Sequence, residues 1–213
     1  MKMTHWKAIL VMYRQVEDLL ERELGVSSLA PEQRERLSYG AMDALCRSII
    51  AEFDRLRATL GDDIRADDVE KVLQPLAFMV DEKVLGRLAP DDAQHWPLVQ
   101  LRLFGADAGG DLFFELADTS LRRPDTAPLL FEVLHFCLTA GFTGRHVGHP
   151  ARLREYREQL AERIPQPKIA APESPTEMGG PPPPTLYDFP WRYYAVTVGV
   201  ILGLPVVLWH LSN

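Results

Sequence analysis

The sequence predicts an all-α body, a proline-rich linker and one C-terminal membrane-spanning helix. Three observations carry this reading. Apolar residues recur at helical spacing over most of residues 1–164, with no credible pair of alternating strands between them. Nine of the chain's 17 prolines fall within residues 165–190. Residues 193–209 carry no charged side chain and only one aliphatic polar one, Thr197.

The body reads as about seven helices. In the first run Trp6, Ile9, Leu10, Tyr13, Val16, Leu20 and Leu24 share a face, and Gly25 follows as the stop. The second is expected to open at Pro31 and to turn Leu37, Ala41, Leu45, Ile49, Phe53, Leu56 and Leu60 inward before Gly61. The third begins at Asp67, with Glu70 completing an acidic version of the capping box. Its face holds Val69, Leu73, Leu76, Val80, Val84 and Leu88, and Pro75 should bend it. Shorter runs cover 93–104, 111–122, 127–140 and 150–164. Asp111 is expected to cap the 111–122 run after the glycine-rich turn GADAGGD, and Gly141 to end the 127–140 run. Gly141 and Gly144 bracket Phe142, which should plug into the core while the backbone turns.

Residues 165–190, PQPKIAAPESPTEMGGPPPPTLYDFP, keep no apolar period, and each proline removes a backbone donor. They read as a semi-rigid spacer, extending ~3.1 Å per residue where polyproline geometry holds. Residues 191–211 then read as the membrane helix. An apolar stretch ending at Leu211 reaches about 28 Å at ~1.5 Å per residue, close to the hydrocarbon thickness. Trp191, Tyr193 and Tyr194 mark one interface and Trp209 the other. Arg192 lies on the N-terminal side and no Lys or Arg on the other, which orients the helix N-in, C-out and leaves Ser212 and Asn213 as a short external tail. Ala195, Gly199 and Gly203 recur every four residues, the spacing that lets two membrane helices approach closely and self-associate.

Composition limits the function. With 213 residues the chain holds one ordinary domain plus accessory segments. A formal net charge of -7 and no basic stripe argue against nucleic-acid binding. The two cysteines, Cys46 and Cys137, lie in apolar helical patterns and read as reduced core residues. Charges from Arg14 onward break any signal-peptide apolar region, so the body is expected to stay cytoplasmic.

Catalytic and cofactor chemistry finds little support. Asp81 and Glu82 are adjacent, and neighbours on a helix point ~100° apart, so they cannot converge on one bond. They read better as a polar feature at the edge of the apolar stripe, contacting another helix or a partner. The run from Gly105 to Asp111 lacks the preceding strand and the Lys-Ser/Thr ending of a phosphate loop. His146 and His149, with Asp111, Asp125 or Glu155, form the only zinc set worth naming, and no second ligand pair stands at a recognised spacing. No enzyme, cofactor or small-molecule substrate is expected.

Three stretches, in order, resemble one family. They are LAFMVDEKVL at 76–85, LFGADAGGDLFFEL at 103–116 and LLFEVLHFCLTAGFTGR at 129–145. With a C-terminal membrane helix they look like the DotU/TssL (IcmH) family of bacterial secretion systems. The signature residues are Gly105, Gly110, Phe113, Phe114, Gly141, Phe142, Gly144 and Arg145. The resemblance implies two packed helical bundles with a cleft between them, and an inner-membrane structural subunit of the type VI membrane complex. It implies a TssM/IcmF-type inner-membrane partner, baseplate subunits docking on the cytoplasmic body, and Asp81 and Glu82 as an acidic contact in the cleft. Asp111 stands where the family usually has Glu, and His146 where Tyr commonly follows the Arg. The peptidoglycan-binding extension of some members is not expected here. The type IVB homologue shares these signatures, and a tail-anchored helical adaptor unrelated to secretion is the reading from a different class.

Overall fold

A computed structural model of the chain describes residues 3–25 and 36–165, and these are all-α. Residues 166–190 of the linker, the 191–211 segment with Ala195, Gly199 and Gly203, and the first residues of the expected second run lie outside the described residues. Among the described residues no helix is long and apolar enough to cross a membrane.

The described residues form eight helices: α1 (Met3–Leu24), α2 (Tyr39–Gly61), α3 (Ala66–Leu85), α4 (Pro90–Ala93), α5 (Val99–Phe104), α6 (Gly109–Arg122), α7 (Pro128–Thr139) and α8 (Pro150–Arg163), with a 3₁₀ turn at Gly144–His146. In α1 the buried stripe is Ile9, Met12, Val16 and Leu20, while Leu10 faces solvent because one residue's step carries it off the stripe. α2 opens later than Pro31 suggested. Ser38 accepts a hydrogen bond from Ala41 N, and the Leu37 N–H goes instead to Asp92 in α4, so residues 36–38 are held in a non-helical state. Ala41 is exposed, and Met42 takes the inward position expected of it.

α3 is the central element. From Leu76 through Asp81 every residue is buried, because the helix is covered on several sides. It packs against α2, α5, α6 and α7; α1 lies on α2, and α8 on α7. The helices share one continuous core, and α1 also meets α7 where Trp6 and Tyr13 pack edge-on against Phe136. The expected box at the start of α3 does not form: Arg65 occupies the N-cap without a side-chain cap, and Glu70 pairs with Arg57 of α2 at 2.7 Å. The helix runs on through Pro75 and stops at Leu85, three residues before the buried Leu88.

The 93–104 run is two helices. Pro97 lacks an N–H and disfavours helical geometry at Trp96, so the chain leaves α4 after Ala93 and re-enters at Val99. α6 begins at Gly109, two residues before Asp111, which sits exposed in the first turn and caps nothing. α7 ends in a Schellman arrangement: Phe142 N–H donates to Cys137 O and Gly141 N–H to Leu138 O, with Gly141 at φ +100°. That turn drives Phe142 into the core, where it is buried. Both cysteines are free and buried; burial raises the Cys46 thiol to about 11 and pushes the Cys137 thiol up as well.

Candidate partner-docking cleft

A cleft of about 400 Å³ opens beside the C-terminal half of α3. Its walls are the start of α5, the 107–111 segment entering α6, and the 142–145 turn. Of the residues singled out from the sequence, Asp81, Glu82, Gly110, Asp111, Phe142, Gly144 and Arg145 line it. Phe113 and Phe114 are fully buried behind it, whereas Gly105 and Gly141 end helices outside it.

The two acids diverge, as helix geometry requires of neighbours. Asp81 is 2% exposed and points at the start of α5. Its Oδ1 accepts from Trp96 Nε1 at 2.7 Å and Val99 N at 2.9 Å, and its Oδ2 accepts from Gln100 N at 2.9 Å. The N-cap of α5, Leu98, has no side-chain acceptor, so Asp81 supplies the missing cap from a different helix. Burial raises the Asp81 pKa, opposed by those three donors. With its folded pKa above the unfolded one, this carboxyl favours folding most in acid and loses that contribution as pH rises through the folded value.

Glu82 is half-buried and turns the other way. Its Oε1 accepts from Thr143 N at 2.8 Å and Thr143 Oγ1 at 2.9 Å, and its Oε2 accepts from Gly144 N at 2.8 Å. These are the orphan donors at the start of the 3₁₀ turn. One helix therefore grips both sides of the cleft through adjacent residues: Asp81 fixes the α5 wall and Glu82 the turn wall.

Close backbone packing completes the turn wall. Gly144 has φ +48°, and a Cβ there would lie 2.9 Å from Gly110 O and 3.0 Å from Phe142 Cζ. A Cβ on Gly110 would meet Gly144 Cα at 3.3 Å. Phe142 rests on Phe113 with ring centroids 4.5 Å apart, and Phe114 packs edge-on to His146 at 4.4 Å. Arg145 lies over Phe114 at 5.4 Å, between Asp111 at 3.8 Å and Asp118 at 3.9 Å.

Four contributors escaped the sequence reading. Trp96 and Thr143 are donors to the acids, and nothing local marks them. Gly109 is a third close-approach glycine, since a Cβ there would come within 1.9 Å of Gln100 Oε1 and 2.7 Å of Phe78 Cδ1. Gln100 is itself buried against the cleft. The zinc set is not assembled. His146 sits against Phe114 and Tyr156, and Glu155 pairs with Arg152 at 2.6 Å. Among the described residues no three His, Cys, Asp or Glu side chains group for a metal. Burial and the positive charge of Arg145 lower the His146 pKa.

An all-α scaffold, organised by one central helix that clamps both walls of a cleft, is the class these features define. The chain belongs to the DotU family: a family model described as type VI secretion system protein DotU matches residues 24–212. Members are components of the type VI and type IVB secretion membrane complexes. The fold is similar to the structure of DotU from Francisella novicida, at 15% identity and a TM-score of 0.57, covering 75% of this chain and 99% of that one. It is also similar to the cytoplasmic domain of TssL from Acinetobacter baumannii, at 22% identity and a TM-score of 0.52, covering 70% and 96%. No functionally curated protein matches the sequence significantly.

Proposed function

We propose that this chain is a non-enzymatic subunit of a type VI membrane complex, anchored in the inner membrane by residues 191–211 with its body in the cytoplasm. It docks partner proteins through the cleft beside α3. The observation that carries this reading is the divided clamp. Two adjacent carboxylates are spent on fixing the cleft walls, and family signature residues line the space between them. A groove held open by acids whose oxygens are already engaged inside the chain is preorganised to receive a partner and has little left for turnover chemistry.

On this reading Asp81 and Glu82 act on docking by shaping the cleft. The partners are a TssM/IcmF-type inner-membrane protein and baseplate subunits, with Ala195, Gly199 and Gly203 forming a packing face between copies in the bilayer. The test is mild-detergent purification of the tagged full-length chain from its host, with mass spectrometry of what accompanies it. Recovery of a large IcmF-type membrane protein with baseplate subunits supports the reading. Recovery of the chain alone, or with one unrelated soluble protein, overturns it in favour of an adaptor.

A further inference from the structure

The cleft has an uneven chemistry that identifies its occupant. Four carboxylates line it, from Asp81, Glu82, Asp107 and Asp111, against a single guanidinium, that of Arg145. Arg145 is already shared between Asp111 and Asp118, and among the described residues Asp107 makes no ion pair. Asp107 and Asp111 are exposed at the rim. Carboxylates gathered in a concave, partly apolar space focus a negative potential into it.

A second feature is independent of that charge. Gln100 is 6% exposed and lines the cleft; its Nε2 donates to Asp107 O at 3.4 Å, while its Oε1 is buried and accepts nothing. Oε1 lies over the Cα of Gly109, another lining residue, in the space a Cβ there would fill. A buried acceptor without a donor is costly and calls for an N–H from outside. Beside it Phe78, Leu85, Leu98 and Phe142 supply an apolar floor, and Leu85 is partly exposed.

Resting on the docking reading above, we infer that the cleft receives a partner-protein segment carrying an arginine or lysine next to an apolar side chain. The basic group passes between Asp107 and Asp111, where the Gln100 amide turns its unpaired Oε1 away from Gly109 to accept from it, while the apolar neighbour covers Leu85 and Leu98. Asp81 and Glu82 contribute their field and not their hydrogen bonds, which are taken up inside the chain.

The experiment places a photo-crosslinking amino acid at Leu85 of the full-length chain in its host and sequences the captured segment by mass spectrometry. The expected segment carries Arg or Lys within a few residues of the crosslink. The D107N/D111N double variant, altered only at exposed positions, should lower crosslink yield about tenfold, the effect of two rim charge contacts a little above the middle of their range. D107E/D111E should retain it. A crosslink to an acidic or uncharged segment, or a yield unchanged in D107N/D111N, overturns the proposed chemistry and leaves docking standing. Absence of any crosslink at Leu85 overturns the docking reading, and the inference with it.

Discussion

Replacing Asp81 with Ala removes a cap that α3 lends to α5, and the cost can be assembled from its parts. Loss of a helix N-terminal cap costs about 0.5–2 kcal/mol. The buried Trp96 indole N–H would be left without an acceptor, a further penalty of about 1–3 kcal/mol. Relief of carboxylate burial offsets part of this, which leaves a net destabilisation of about 2–4 kcal/mol. Each kcal/mol shifts Tm by about 2–4 °C in a chain of this size, so the midpoint of thermal unfolding in detergent, followed by far-UV circular dichroism, should fall by about 4–16 °C. Asp81→Asn should fall between wild type and Ala. Its carbonyl oxygen can replace Oδ1, but its amide would face the Gln100 N–H donor to donor. Glu82→Ala should cost only about 1 kcal/mol, because Glu82 is half-buried and water can reach the donors it leaves behind. An Asp81→Ala shift equal to or smaller than that of Glu82→Ala would refute the reasoning.

Three further predictions concern the turn wall and the tail. Gly144→Ala should destabilise by about 1–3 kcal/mol through backbone strain and the clash with Gly110 O. Gly105→Ala, at φ +67° with nothing within 4 Å, should cost less in the same denaturation measurement, and equal costs would contradict the close-packing argument. His146 has a folded pKa below its ordinary ~6.5, so its contribution to stability is present above that value and lost as pH falls through the folded one. His146→Phe should flatten the acid side of the stability–pH curve without abolishing it, since burial also lowers His135. Gly199→Leu with Gly203→Leu should reduce self-association of the full-length chain, read by cross-linking in membranes, without altering insertion.

Much of the body was legible because burial follows the helical period. The stripes of α1, α2 and α3 appear in the sequence with few changes, and Gly141 marked the end of α7. The divergence of Asp81 and Glu82 was legible too, since it is a property of any helix. Their partners were not. Trp96, Val99 and Gln100 lie 15 to 19 residues away, and Thr143 lies 61 away, so tertiary folding alone brings them to the acids. Helix starts failed for the same reason. Asp67 and Asp111 resemble local caps, yet α3 and α6 begin without one and α5 takes its cap from Asp81. Pro97 carried the signal that splits 93–104, because a residue before proline avoids the helix. Gly109 stood in a recognised glycine turn, but only the approach of Gln100 and Phe78 shows what its missing side chain permits.

The central claim is that adjacent acids hold opposite walls of one cleft. Amide hydrogen exchange on the full-length chain, compared between wild type, Asp81→Ala and Glu82→Ala, tests it most directly. Asp81→Ala should speed exchange at Val99 and Gln100 and spare Thr143 and Gly144, while Glu82→Ala should do the reverse. Exchange that changes at both walls in both variants, or at neither, would contradict the divided clamp.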